Sequence, residues 1–226
     1  MSRFIIHGRK TVSGVHRVSG NKNAALPMIA ASLLTSESVT LENVPDISDV
    51  SAMLSAAEDF GAKVVRDQRA GKVVITAAKI RSAKIDAKLA ARIRTSFLFA
   101  GPLLARVGRA SLPPPGGDAI GHRRLDTHFS GFKSLGAKAA AGRKSLSFKG
   151  ELKGAEILLD EASVTATENI LMAAVRRGGD RQALHERLPA HLEAGAVFIE
   201  RELETDLRKG FAHLGWRDRA FGQPFR

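Results

Sequence analysis

The stretch that decides the fold is "NKNAALPMIAASLLTSESVTLENVPDISDVSAMLSAAEDFGAKVV", residues 21–65. Its apolar periodicity predicts a helix from about Lys22 to Leu34, a strand in "SVTLENV", and a second helix from about Ile47 to Phe60. Gly61 follows at once, and glycine is a favourable residue for ending a helix. The stretch therefore predicts one helix–strand–helix unit.

The same plan recurs from Arg94 onward, in "RTSFLFAGPLLARVGRASL" and then "RRLDTHFSGFKSLGAKAA". Pro27 and Pro102 are 75 residues apart, and so are Gly61 and Gly136, each of which opens "GAK". Two independent landmarks at one offset indicate an internal repeat. Repeated units of this kind bury their apolar faces against one another.

Short strands complete each unit. "KVVITA" and "KSLSFKG" predict strands after the second helix, and "ILLDEA" predicts a strand that opens a third unit. That unit continues in "SVTATENILMAAV", residues 163–175. Each unit thus reads as helix, strand, helix and a pair of short strands. Pro27 and Pro102 fall inside the predicted helices, where proline is tolerated best near the first turn.

The composition narrows the class of protein. The chain has 226 residues, 44% of them hydrophobic, no cysteine and a net charge of +12. These values predict a soluble cytoplasmic protein without a membrane span or a thiolate metal site. The positive charge favours an anionic partner. Because aromatic residues make up only 5% and tyrosine is absent, phosphorylated metabolites rank above nucleic acid.

Two cations occupy matching places in the repeat. Lys22 and Asn23 stand at the start of the first predicted helix, where backbone N–H groups favour an anion. Taken alone, this stretch is explained more simply as a helix cap with a solvated lysine. Arg94 stands at the start of the corresponding helix in the second unit. Equivalent positions of a repeat face the same cleft, so a binding role and a solvated surface role become equally plausible.

A rigid loop, "LPPPGGDAIGHRRLD", spans residues 112–126. Its prolines stiffen the backbone, and its glycines allow the backbone to approach a ligand closely. It carries Asp118 shortly before Arg123 and Arg124. Asp118 is either a salt-bridged turn residue or a general acid that burial beside an anionic substrate keeps protonated.

Four stretches, "SGNKNAALPMIAASLL", "VTLENVPDISDV", "RTSFLFAGPLLARVGRASLPPPGGDAIGHRRLDTHFSGFKSLGA" and "LKGAEILLDEASVTATENILMAAV", resemble the enolpyruvyl transferases in order over residues 1–175. The resemblance implies an α/β fold. Its domain is an inside-out barrel of repeated helix–strand–helix–strand units, incomplete in this chain. It also implies transfer of the enolpyruvyl group from phosphoenolpyruvate to the 3-hydroxyl of UDP-N-acetylglucosamine. This reaction releases phosphate, serves peptidoglycan synthesis and needs no metal or cofactor.

The resemblance also implies roles for individual residues. Lys22 and Asn23 would bind phosphoenolpyruvate or the sugar, while Arg94 and Arg123 would hold the phosphate and carboxylate. Asp118 stands where many relatives have a cysteine that donates a proton to the methylene carbon. Lys22, Asp118 and Arg123 are thus the implied catalytic residues. The implied uridine nucleotide site contains Arg124, Leu125, Asp126, Glu161, Ala162, Ser163 and Val164.

Members of this family are longer and contain two similar domains, the second of which supplies the base for the sugar hydroxyl. Residues 1–21 are therefore expected to form strands that pair with a second domain, and their exposed edges favour self-association. Residues 22–175 are expected to form the transferase domain. Residues 176–226 are expected to form a divergent tail, with a helix around 194–207 and a loose end after Trp216.

Four functions stay open at this point. The chain is an active enolpyruvyl transferase acting on UDP-N-acetylglucosamine, or a non-catalytic remnant that binds the nucleotide sugar. A transferase acting on shikimate 3-phosphate fits the sequence motifs less well. A basic nucleic-acid-binding protein is the last alternative, and it predicts tight, salt-sensitive binding to DNA or RNA.

Overall fold

The computed structural model of the chain describes residues 5, 8, 13–16, 18–116 and 125–175. Two units within these residues follow the order predicted from the repeat. The first contains α1 (Lys22–Ala31), a 3₁₀ turn (Ser32–Leu34), β1 (Ser38–Leu41), α2 (Ser48–Asp59), β2 (Lys63–Asp67) and β3 (Lys72–Thr76). The second contains α3 (Ala87–Arg92), a 3₁₀ helix (Arg94–Phe99), α4 (Ala100–Val107), β4 (Arg109–Leu112), α5 (Asp126–Ser134), β5 (Lys138–Ala141) and β6 (Leu146–Lys149). Helix α6 (Val164–Ala174) begins the third unit.

The two glycines of the repeat end equivalent helices. Gly61 follows α2 with a φ of 102°, and Gly136 follows α5 with a φ of 92°. Both angles lie in the left-handed region, which residues with a Cβ atom rarely adopt. The prediction that the helix of the first unit stops at Gly61 is confirmed.

Each unit forms its own three-stranded antiparallel sheet. The strand order is β1-β3-β2 in the first sheet and β4-β6-β5 in the second. The shared order confirms that the two units are copies of one plan. An isolated parallel bridge between Lys84 and Ser111 adds the segment before α3 to the edge of the second sheet.

The core lies between these sheets and the helices, and it is continuous from unit to unit. Phe60, which follows α2, packs edge-on against Phe99 of the second unit, with ring centroids 5.0 Å apart. In the second unit, Phe148 of β6 lies within 5.8 Å of the rings of Phe97, Phe129 and Phe132. The contact between Phe60 and Phe99 buries apolar area across the unit boundary, and the other three bury it within the second unit. Burial of apolar area is the main stabilising term for a repeat architecture.

Arg106 joins the two units through polar contacts. From α4 its guanidinium group donates hydrogen bonds to the carbonyl oxygens of Leu33 and Thr35, which follow α1. It also donates to the carbonyl oxygens of Ala77 and Ala78, which follow β3. A planar guanidinium with five N–H donors can satisfy several carbonyl groups at once.

The two prolines of the repeat differ in position. Pro102 lies in the first turn of α4, where its missing N–H group costs no helical hydrogen bond. Pro27 lies beyond the first turn of α1 and is buried. The position at which a helix tolerates proline best is therefore occupied by Pro102 but not by Pro27.

Two details of the sequence prediction are wrong. "ILLDEA", residues 157–162, forms no strand, because it meets no ladder partner among the described residues. Ile157 and Leu159 pack against the core instead, while Leu158 is 94% exposed. Helix α3 was not predicted, although Asp86 caps it by accepting from the N–H groups of Lys88 and Leu89.

Some sequence predictions fall outside the described residues. These are the tail from residue 176 onward, with its helix and loose end, and most of the strands expected in residues 1–21. Across the part of the chain that the structure does describe, every helix is too short or too polar to cross a membrane.

Candidate functional site

The predicted cation of the first unit lies at the start of α1. Asn21 caps this helix, because its side chain accepts a hydrogen bond from the N–H of Asn23 at 2.7 Å. Lys22 is the first helical residue, and its Nζ lies 2.8 Å from Oδ2 of Asp49 in the first turn of α2. The starts of α1 and α2 are therefore neighbours, joined by an ion pair.

The predicted cation of the second unit likewise stands at the start of a helical segment. Arg94 is the first residue of the 3₁₀ helix that leads into α4. This 3₁₀ helix packs against α1, so the segments that carry Lys22 and Arg94 are in contact. The charge of Arg94 also acts on His128 in α5. The segment that carries Arg94 thus packs against the first unit, and Arg94 lies within electrostatic range of α5.

The predicted nucleotide-binding residues lie at the starts of α5 and α6. Asp126 is the first residue of α5. Thr127 donates from its hydroxyl to Oδ1 of Asp160 at 3.1 Å, which holds the segment before α6 beside the start of α5. Ser163 caps α6 by accepting from the N–H of Ala166 at 3.3 Å.

The other predicted residues at this end of the two helices differ in exposure. Leu125 packs against the core, so it supports α5 from inside. Glu161, Ala162 and Val164 are exposed. The structure therefore brings residues 125–126 and 161–164 to one end of a helix pair.

A polar cluster lies inside this end of the pair α5 and α6, and it consists of His128, Thr165 and Asn169. The sequence did not predict this cluster. The Nδ2 atom of Asn169 lies 3.3 Å from Nδ1 of His128, and Nε2 of His128 lies 3.5 Å from Oγ1 of Thr165. Burial, and secondarily the charge of Arg94, lower the pKa of His128 from 6.5 to about 4. His128 is therefore neutral at physiological pH. The polar pair "EN" inside the apolar run of α6 was the available sequence signal.

Glu168 adds a second perturbed group on α6. Burial raises the pKa of its carboxyl group from 4.5 to about 7. Glu168 is one of the few polar or charged residues that are buried among the described residues. A carboxyl group in this environment changes its charge near neutral pH.

Three predicted site residues, Asp118, Arg123 and Arg124, lie outside the described residues. The loop that carries them is anchored where it leaves the second unit, because the N–H of Gly116 donates to the carbonyl oxygen of Ala90 at 3.1 Å. A Cβ atom at Gly116 would lie 1.9 Å from the carbonyl oxygen of Ala91. The close backbone approach at this glycine is therefore to α3.

The arrangement suits an anionic ligand. Cations stand at the first positions of two packed helical segments, and the first turns of α5 and α6 are in contact through His128 and Thr165. Helix starts, hydroxyl groups and cations are the groups that proteins use to hold phosphates.

Comparison with known proteins points to one family. A family profile described as EPSP synthase (3-phosphoshikimate 1-carboxyvinyltransferase) matches residues 6–196. UDP-N-acetylglucosamine 1-carboxyvinyltransferase of Treponema denticola is 50% identical over 175 residues, which are 77% of this chain and 41% of that protein. The protein of the same name from Bradyrhizobium diazoefficiens is 47% identical over 198 residues, 87% of this chain and 46% of its own. The chain thus spans less than half the length of these relatives.

Solved structures agree on the fold. The enolpyruvyl transferase NikO from Streptomyces tendae matches 86% of this chain and 46% of its own, with a TM-score of 0.64 and 19% identity. An EPSP synthase from Acinetobacter baumannii matches 73% of this chain and 38% of its own, with a TM-score of 0.56 and 21% identity. The predicted fold class, an incomplete inside-out α/β domain, is confirmed.

Proposed function

The chain belongs to the enolpyruvyl transferase family, and we propose that it binds UDP-N-acetylglucosamine and phosphoenolpyruvate for enolpyruvyl transfer in peptidoglycan synthesis. The observation that carries this proposal is the junction of the starts of α5 and α6 through Thr127 and Asp160. It joins residues 125–126 to residues 161–164, which are expected to contact the uridine nucleotide, and Arg94 lies within electrostatic range of His128 in the same helix pair. The high identity to proteins named for this activity supports the choice of substrate.

In the proposed reaction, Lys22, Arg94 and Arg123 neutralise the phosphate and carboxylate groups of phosphoenolpyruvate. Asp118 donates its proton to the methylene carbon, and the adjacent carbon gains positive character. The 3-hydroxyl oxygen of the sugar forms a bond to that carbon and loses its proton to a base. Loss of a proton from the new methyl group and of phosphate then restores the double bond. General acid catalysis and fixed cations supply the rate enhancement.

A second candidate function is binding of the nucleotide sugar without turnover. The junction of α5 and α6 supports it equally, because this junction bears on binding of the nucleotide and not on turnover. Residues at the starts of α5 and α6 would then retain the nucleotide without a chemical step. Asp118→Ala separates the two functions, since a protein without turnover has no activity for this change to remove.

Calorimetric titration of the full chain with UDP-N-acetylglucosamine tests the shared part of both functions. We expect binding, and in a parallel titration with phosphoenolpyruvate we expect Arg94→Met to weaken the affinity for that ligand roughly tenfold or more, because a charge-assisted hydrogen bond contributes about 1.5–3 kcal/mol. Arg92→Met is the matched control: it removes an exposed arginine two residues away and should leave the affinity unchanged. Absence of binding by the parent chain would refute both functions.

The two candidate functions are distinguished by measuring phosphate release from phosphoenolpyruvate in the presence of UDP-N-acetylglucosamine. Turnover that Asp118→Ala abolishes supports the transferase. Binding without phosphate release supports the second function. Turnover with shikimate 3-phosphate in place of the nucleotide sugar would contradict the proposed substrate.

A further inference from the structure

The side chain of Asn169 has its orientation fixed by two backbone groups. It is fully buried, at 0% exposure. Its Oδ1 accepts from the N–H of Gly101 at 2.7 Å, and its Nδ2 donates to the carbonyl oxygen of Phe97 at 2.9 Å. Because a backbone N–H can only donate and a carbonyl can only accept, the positions of oxygen and nitrogen are not interchangeable.

This orientation determines the tautomer of His128. The second hydrogen of Asn169 Nδ2 is directed at Nδ1 of His128, 3.3 Å away. Nδ1 must therefore accept, and the single hydrogen of the neutral ring is on Nε2. The ring is held in place by an edge-on contact with Phe97, with centroids 5.0 Å apart. Burial, with the charge of Arg94, keeps it neutral by lowering its pKa to about 4.

The tautomer in turn orients the hydroxyl group of Thr165. Nε2 of His128 lies 3.5 Å from Oγ1 of Thr165, a long hydrogen bond in which the ring donates. The hydroxyl hydrogen then has to point away from the ring. Thr165 is half-buried in the first turn of α6, next to the residues expected to contact the nucleotide. Among the described residues, no acceptor takes this hydrogen.

We propose that Asn169 is a positioning residue. Acting through His128, it directs the hydroxyl hydrogen of Thr165 toward the ligand, where it donates to a diphosphate oxygen of the nucleotide sugar. This inference rests on the proposed function, because it assumes that the nucleotide lies at the starts of α5 and α6.

The first test measures the tautomer in the full chain without ligand. Two-bond ¹H–¹⁵N correlation spectra of ¹⁵N-histidine-labelled protein distinguish a protonated Nε2 from a protonated Nδ1, and the signals missing in His128→Gln identify this ring. We expect the Nε2–H form at neutral pH. The Nδ1–H form would overturn the inference whatever the ligand.

The second test reverses the chain of hydrogen bonds with Asn169→Asp. The carboxylate still accepts from Gly101, but it also accepts from His128, so the ring hydrogen should move to Nδ1. The unprotonated Nε2 then accepts a hydrogen bond from the hydroxyl group of Thr165. That hydroxyl hydrogen is therefore no longer available to the ligand. We expect affinity for UDP-N-acetylglucosamine to fall roughly tenfold or more, to the level of Thr165→Val. Thr165→Ser, which keeps the hydroxyl, should retain the parent affinity.

Each outcome of these two tests supports or overturns the positioning role of Asn169. A reversed tautomer with unchanged affinity would overturn the inference, as would a Thr165→Val variant that binds like the parent. If Asn169→Asp does not fold, as judged by far-ultraviolet circular dichroism, the parent tautomer and the two Thr165 variants still decide. If the parent chain shows the Nε2–H form but binds no nucleotide sugar, the proposed function fails and the ligand contact of Thr165 fails with it, while the hydrogen-bond chain stands.

Discussion

Replacement of Arg106 by methionine should weaken the attachment of the second unit to the first and lower the free energy of unfolding. The guanidinium group donates to Leu33 at 2.8 Å and to Ala77 at 3.0 Å, with further contacts to Thr35 and Ala78. A hydrogen bond to a charged group contributes about 1.5–3 kcal/mol. Because Arg106 is only partly buried, water replaces some of the hydrogen bonds that its carbonyl partners lose. We therefore expect Arg106→Met to lower the free energy of unfolding by about 2–4 kcal/mol.

Urea unfolding followed by circular dichroism measures this loss. At about 2–4 °C per kcal/mol for a chain of this size, the melting temperature should fall by roughly 4–16 °C. Arg106→Lys should recover less than half of the loss, since an ammonium group cannot fork between carbonyl groups of two segments. Arg109→Met is the matched control, because Arg109 is exposed on β4, and it should change stability by less than about 0.5 kcal/mol. A cost for Arg106→Met equal to that of the control would refute the reasoning.

Three further changes test the packing and electrostatics of the core. Gly101→Ala should destabilise the chain by about 1–3 kcal/mol, measured by urea unfolding, because a Cβ atom there would lie 2.2 Å from the carbonyl oxygen of Asn169; an unchanged midpoint would contradict the close packing of α4 on α6. Phe148→Ala should cost about 3–5 kcal/mol by the same assay, since it removes a ring packed against three others, and a cost below about 1 kcal/mol would count against that cluster. Burial raises the pKa of Glu168 to about 7 from 4.5, so its carboxyl group favours folding fully below pH 4.5 and loses that effect as the pH rises through 7. Glu168→Gln should therefore stabilise the chain at about pH 8 but not at about pH 4.5, and equal effects at both pH values would argue against the burial of this carboxyl group.

The elements that could be predicted from the sequence have local physical causes. Gly61 and Gly136 end equivalent helices because each adopts a backbone angle that only glycine tolerates well. The starts of the helical segments at Lys22 and Arg94 follow from the same apolar periodicity that defines the repeat. Such features depend on a few neighbouring residues, so one sequence is enough to find them.

The features that were missed depend on distant partners. "ILLDEA" has strand composition, but a strand exists only where a second one pairs with it. His128 and Asn169 are 41 residues apart, and nothing in either local sequence indicates that their side chains meet. The burial of Glu168 likewise depends on how α6 packs against its neighbours, which periodicity alone does not specify.

The ion pair at the start of α1 has a consequence for ligand discrimination. Because Asp49 keeps an oxygen 2.8 Å from the ammonium of Lys22, an incoming anion has to exchange places with a counter-ion that is tethered to the chain. A tethered carboxylate competes at a high effective concentration, so chloride and other monovalent ions gain little from the exchange. In the proposed site, a ligand with several negative charges, which also engages neighbouring cations, recovers more of what is given up than a singly charged ion does. The pair would thus favour multivalent anions over the salt of the cell.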